Sequence, residues 1–223
     1  MDAYQQRVIA YADVLGWTNA CNNPRRYQDV RAAATGIRDY ALNFSKPIKD
    51  ALKNTKGVTS FDIEQQNQIE FCFFSDNFAV SAPADHAQTL LKILSFASDA
   101  LLQRKFLLRG AVTLGLLYHD HHGVIFGPAL IDAVEIEKTA YHPRLLCSES
   151  VVELLDKAGL KENLLLQDSD QRWVVNIAIG SSHALSNLNK IIDDEIATSR
   201  KFSDKWIYLR KLLQSMHSKR RAQ

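Results

Sequence analysis

Two periods alternate along this chain. Arg7 to Leu15 (RVIAYADVL) is a short, mostly apolar run that stops at Gly16, and it predicts a buried strand. A polar loop around Asn22, Asn23 and Pro24 follows. From Arg25 to Lys53 the apolar positions Val30, Ala33, Ala34, Ile37, Tyr40 and Ala41 recur at helical spacing, with Pro47 expected to break or re-cap the helix. Gln68 to Phe74 and Phe78 to Ser81 predict two aromatic-rich strands around a hairpin turn at Ser75-Asp76-Asn77. Pro83 and Asp85 open a second helix, with Gln88 in capping-box spacing, and Ala87, Leu90, Leu91, Leu94, Ala97 and Leu101 keep its period up to Arg104.

Phe106 to Tyr118 then reads as a long strand holding Gly110 and Gly115, His119 to Gly123 as a turn, and Val124 to Phe126 as a return strand. Ala129 to Ala140 has helical character, Pro143 to Cys147 is a short strand, and a short helix runs to Gly159. Gln171 to Ile179 predicts another strand, and Ser182 to the end is largely helical. The first half therefore runs βαββαβ, the ferredoxin-like unit. The expected architecture is α/β, an α+β sandwich with helices over an antiparallel sheet and further strands and helices added C-terminally.

Composition narrows the class. The 223 residues are 46% hydrophobic and 23% charged, with a net charge of +2, so disorder is excluded for most of the chain and one large domain, or at most two small ones, is expected. The longest apolar candidate, Phe106 to Tyr118, carries Arg109 and falls short of the ~18 residues a bilayer span needs. The N-terminal MDAYQQRVIA has no basic region ahead of its apolar run and does not read as a signal peptide. Cys21, Cys72 and Cys147 are odd in number and form no CxxC pair, which argues against disulfides or structural zinc and for a cytoplasmic setting. A pI of about 8.4 is too mild to imply nucleic acid, and neither nucleic acid nor membrane is an expected partner.

The informative residues are charges inside apolar runs. Asp13, between Tyr11 and Leu15, needs a buried Arg partner or a cation. Asp76 sits at the tip of the apolar hairpin FCFFSDNFAV, as an ordinary turn residue or as a second cation ligand. In a βαββαβ sheet the first and third strands are neighbours, so Asp13 and Asp76 are expected at one sheet edge. Two carboxylates there suit two divalent cations that clamp a triphosphate. The backbone after Asp13, Val14-Leu15-Gly16-Trp17-Thr18, turns towards a helix and has N–H groups to offer phosphates, with Gly16 permitting close approach.

Arg109 interrupts its strand as Asp13 does, either paired with Glu137 or Asp13 or in contact with a base or phosphate. Glu135 and Glu137 cannot share a helix face, so one is expected to meet Arg109 and the other solvent. Arg144 is a phosphate contact or a structural arginine. The His119-Asp120-His121-His122 cluster reads as a turn rather than a metal site, and Lys211 to Arg220 as a solvated helix end.

These residues stand in a familiar order. AYADVLGW resembles the F-x-D-I-x-G-F strand of the class III adenylate and guanylate cyclases. FSDN stands where that superfamily has its second metal aspartate, RGAVTLG matches R-x-G-I-x-x-G, and FGPALIDAVEIE matches W-G-D-x-V-N-x-A-x-R-L-E. The resemblance covers about residues 7–150, leaving about 151–223 as an extension within a single domain of residues 1–223. Cys72 and Val124 occupy the base-reading positions, and Ile131 and Glu135 stand where the superfamily has its transition-state Asn and Arg.

Across most of its length the chain is similar to the short bacterial pyrimidine cyclases of anti-phage signalling (Pycsar-type), including Ala140-Tyr141-His142-Pro143-Arg144. That resemblance implies conversion of UTP, ahead of CTP, to the 3′,5′-cyclic nucleotide and pyrophosphate, read by a co-encoded effector. It implies Asp13, Val14 and Asp76 as ligands of two Mg²⁺ or Mn²⁺ ions, with Arg109 catalytic. Val14, Leu15, Gly16, Trp17, Cys72, Val124 and Arg144 would meet substrate. A head-to-tail homodimer would set Cys72 and Val124 against a base held by the partner. Two alternatives stay open: a cyclase-like domain that binds nucleotide or a partner without turnover, and a palm-like nucleotidyltransferase.

Overall fold

The computed structural model describes residues 4–39, 69–180, 185–198 and 203–221. Its centre is the strand β1 (Gln5–Leu15), flanked antiparallel by β3 (Asn77–Pro83) and β4 (Leu107–His119). β2 (Glu70–Phe74) pairs with β3 through the tight Ser75-Asp76 connection. β5 (Ile125–Phe126) returns on β4, and β6 (Leu145–Cys147) runs parallel to it. β7 (Leu165–Gln167) and β8 (Trp173–Val175) complete an eight-stranded sheet of order β2-β3-β1-β4-β6-β8-β7, with β5 off that path. The first four strands have the ferredoxin-like order that the sequence implied.

β1 reads as a continuous apolar run because both its faces are covered. Val8, Ala10, Ala12 and Val14 point into the large core under α1 (Trp17–Cys21), the helical residues 27–39 (α2) and α3 (Ala87–Leu102). α5 (Glu149–Lys157) and α6 (Lys161–Leu164) extend that layer. Alternation sends Ile9, Tyr11 and Asp13 to the opposite face. There Ile9 packs with Ala79, Leu117 and Ala129 beneath α4 (Pro128–Lys138). α7 (Leu185–Thr198) and α8 (Ser203–Arg221) form a second core with β4, β6 and β8 through Leu188, Ile192, Trp206, Leu209, Leu212 and Leu213. Asp13 therefore emerges on the face that carries both α4 and the C-terminal helices.

Gly110 permits the tight β1–β4 pairing. A Cβ there would meet the Tyr11 carbonyl oxygen at 2.4 Å and Ala12 Cβ at 2.7 Å, so no larger residue fits. Gly16 turns the chain from β1 into α1 with φ +93°, a left-handed value that suits glycine.

Some expectations are corrected. The capping box at Asp85 does not form, because Ala84–His86 makes a 3₁₀ turn and α3 begins at Ala87; Asp85 instead faces His86 Nδ1 at 2.9 Å. The strand expected over Gln171 to Ile179 contracts to β8. Asn176 ends it, its N–H bonding the Leu164 carbonyl and its side chain accepting from Ala178 N–H, and Ile177–Gly180 turns in 3₁₀ form. β7 was not foreseen, since Leu165–Gln167 is too short to display a period. The expected helix over Arg25 to Lys53 is seen from residue 27 to 39; its part with Tyr40, Ala41 and Pro47 lies outside the described residues. Among the described residues no helix is long and apolar enough to cross a membrane.

Candidate active site

The sheet brings the two aspartates to one place. The Val14 N–H donates to the Asp76 backbone carbonyl at 2.7 Å, stitching the end of β1 to the β2–β3 turn. Ser75 takes φ +57° in that turn, which leaves Asp76 at its tip. Asn77 supports it, donating from Nδ2 to Asp76 Oδ1 at 3.0 Å and accepting from the Tyr11 hydroxyl at 3.0 Å. Asp13 and Asp76 both line one cavity of about 340 Å³, within the size range of small-molecule sites. Val14, Leu15, Gly16 and Trp17, singled out from the sequence, line it as well. The Val14 amide is not available to a phosphate, since Asp76 holds it.

Arg109 faces Asp13 directly across the β1–β4 pair. Its Nη2 donates to Asp13 Oδ2 at 3.0 Å, and its Nε lies 2.8 Å from Glu137 Oε1, an ion pair off the N–H direction. It thus pairs with both acids that the sequence offered as alternatives. Glu135, two residues along α4, faces solvent and pairs with Lys138 at 2.6 Å. Burial raises the Asp13 carboxyl above its ordinary value. Arg109 and Lys205 pull it down, while Asp76 and Glu137 push it further up.

The oxygen-only donor set fits a hard divalent cation. Two carboxylates of like charge share the cavity wall, an arrangement that a cation relieves. Among the described residues no group of three His, Cys, Asp or Glu side chains is poised for a metal. Such a site suits Mg²⁺ or Mn²⁺, which need only one or two carboxylates when substrate phosphates complete the shell. It does not suit zinc.

The remaining residues lie elsewhere. Arg144 is buried away from the cavity, its guanidinium bound to Asp168 and, at 2.6 Å, to Asp170. The Tyr208 hydroxyl also donates to Asp168, so this cluster ties α8 to the β7–β8 turn. His142 stacks on the Tyr208 ring with centroids 4.2 Å apart. Cys72 and Val124 do not line the cavity; Gly123, the residue before Val124, lies near Cys72, where an added Cβ would meet Cys72 Sγ at 3.8 Å. Cys72 is half-buried, which raises its thiol pKa, and Val124 is exposed. Ile131 is also exposed.

His119 is buried against Ser81 Oγ at 2.9 Å, and Asp120 accepts from the His122 and Val124 N–H groups. That cluster is a turn, as expected. The cavity residues that the sequence reading missed include Arg26, Lys105, Glu195, Lys205 and Trp206. No local pattern marks them, because they reach the cavity from four separate segments.

No family model matches the chain, and no curated protein matches it in sequence. The fold does have relatives among solved structures. The adenylyl cyclase CyaB from P. aeruginosa superposes with a TM-score of 0.54 over 77% of this chain and 94% of its own, at 10% identity. The guanylyl cyclase Cya2 gives 0.51 over 79% and 94%, at 14% identity. The sheet and its helices thus have the fold of cyclase catalytic domains.

Proposed function

We propose that this chain is a nucleotidyl cyclase that converts a pyrimidine nucleoside triphosphate, UTP ahead of CTP, to its 3′,5′-cyclic nucleotide and pyrophosphate. The observation that carries the reading is the meeting of Asp13 and Asp76 in the wall of one cavity, on a cyclase-type sheet. Asp13, Asp76 and the Val14 position would hold two Mg²⁺ or Mn²⁺ ions. When bound, such ions acidify the ribose 3′ hydroxyl and offset charge on the departing pyrophosphate.

The chain's own residues do the rest. Arg109 fixes the Asp13 carboxylate through Oδ2, and Glu137 fixes Arg109 in turn. The Gly16 turn and Trp17 shape the floor on which the triphosphate lies. In-line attack of the 3′ oxygen on the α-phosphorus forms the ring bond as the bond to the bridging oxygen breaks and pyrophosphate leaves.

Residues 1–223 act as one catalytic domain in this reading. A head-to-tail homodimer sets the Cys72 and Val124 positions against the base in the partner's cavity, and small, weakly polar side chains there are compatible with a pyrimidine. The product would serve as a second messenger in anti-phage defence, read by a co-encoded effector. One observation favours the alternative of binding without turnover: Asp13 is already engaged by Arg109, and Glu135, at the transition-state Arg position, faces solvent.

The test is incubation with ATP, GTP, CTP and UTP in turn plus Mn²⁺, with products resolved by chromatography and mass. Cyclic UMP or cyclic CMP, absent with Asp76→Ala, is the expected result. A linear product extended on an acceptor favours the nucleotidyltransferase. No product with retained nucleotide binding favours the silent domain.

A further inference from the structure

Polar side chains lie buried in one layer on the α4 face of the sheet, one from each of its first four strands: Arg7 of β1, Glu70 of β2, Ser81 of β3 and His119 of β4. Apolar residues would fill this layer at lower cost. Arg7 Nε donates to Ser81 Oγ at 3.0 Å, and Ser81 Oγ meets His119 Nδ1 at 2.9 Å. A guanidinium can only donate, so the Ser81 hydroxyl is free to donate its own proton to Nδ1. His119 Nε2 then carries the ring proton, and it is buried with no hydrogen-bond partner among the described residues. Glu70 stands opposite Ser81 in the β2–β3 register, and its negative charge favours the charged form of Arg7.

This network ends where two surface elements meet. His119 closes β4, and the next residue, Asp120, accepts from the His122 and Val124 N–H groups at 2.9 and 3.0 Å. The turn is thereby braced from His119 to Val124. Gly123 of that turn lies by β2, with its added Cβ 3.8 Å from Cys72 Sγ. Cys72 follows Glu70 by two residues on the same face of β2. One network therefore anchors Cys72 through the Glu70 strand and Val124 through the His119 turn.

We infer that His119 is a positioning residue for base selection: with Ser81 and Arg7 it holds the Val124 turn in place relative to Cys72, and so sets the shape of the surface that a nucleotide base in the partner protomer would meet. The inference rests on the cyclase reading and its head-to-tail dimer. His119 itself is buried and touches no substrate.

The test compares the full chain as wild type, His119→Leu, Ser81→Ala and His119→Asn. Leucine fills the imidazole space without the Ser81 bond, whereas asparagine keeps a polar atom near the Nδ1 position. The first readout is kcat/KM for ATP, GTP, CTP and UTP with Mn²⁺. The ratio between the preferred pyrimidine triphosphate and the next best substrate is expected to fall about tenfold in His119→Leu and Ser81→Ala, the equivalent of one well-placed hydrogen bond. The loss falls on KM rather than kcat, and His119→Asn recovers it. The second readout is amide exchange, expected to quicken in residues 120–124 of the same two variants while β1 stays protected. A merely structural role scales all four substrates alike. An unchanged ratio with cyclic nucleotide still formed overturns the inference and leaves the cyclase reading standing, and so does unchanged exchange in residues 120–124. If His119→Leu does not fold, Ser81→Ala decides. A wild type that forms no cyclic nucleotide overturns both.

Discussion

Arg109 and Asp13 are register partners across β1 and β4, and the guanidinium reaches over to hold the carboxylate at 3.0 Å. Glu137 of α4 flanks the same guanidinium at 2.8 Å. Helix, strand and candidate metal ligand thus share one half-buried charge cluster. Replacing Arg109 by Met leaves two partly buried acids without their cation. The expected cost is about 2 kcal/mol, discounted because the arginine keeps some solvent contact. Urea unfolding checks it, and Arg109→Met with Glu137→Gln is expected to lose less than Arg109→Met alone.

Asp76 repels the Asp13 carboxylate even with Arg109 in place, and a bound metal ion would offset that repulsion. Asp76→Asn is therefore expected to be no less stable than wild type in EDTA. Mn²⁺ at saturating concentration raises the wild-type Tm by about 3 °C or more and leaves Asp76→Asn unmoved. Differential scanning fluorimetry reads both. An equal Mn²⁺ shift in the variant argues that the ion binds elsewhere.

His119 is buried beside Arg7 and Ser81, so burial first and the Arg7 charge second push its pKa down to about 3, with Asp120 opposing. The unfolded chain protonates near pH ~6.5. Its contribution is thus fully present above that value and is lost as pH falls towards 3, because only the unfolded state takes up the proton. The slope is about 1.4 kcal/mol per pH unit. Between pH 6 and 5, where few carboxylates titrate, urea titrations are expected to show this loss in wild type and a flatter profile in His119→Gln.

Tyr208 links α8 to the core through Asp168 and Arg144. Tyr208→Phe removes one hydrogen bond to a charged acceptor and is expected to cost about 1–2 kcal/mol. Amide exchange is expected to quicken in residues 203–221 while β1 stays protected. Uniform acceleration across both would show that α8 does not open as a separate unit.

Much of this was legible in the chain. The βαββαβ order is readable because strands and helices differ in apolar period, and Asp13 and Arg109 are conspicuous because each interrupts an apolar run. Their mutual pairing was one of two options that the residues allowed; β1–β4 register made the choice, and α4 added Glu137 to it. Arg144 illustrates the reverse. Nothing near it in sequence announced Asp168, Asp170 and Tyr208, which reach it from the β7–β8 turn and from α8.

The sequence by itself determined the central strand, the hairpin with Asp76 at its tip, and their neighbourhood at one sheet edge, since these follow from local periodicity and a simple topology. Only tertiary structure decided what surrounds the two aspartates. Arg26, Lys105, Glu195, Lys205 and Trp206 converge from segments far apart in the chain. They do so because α7 and α8 bury an apolar face against β4, β6 and β8, and that non-local packing leaves no periodic trace around any one of them.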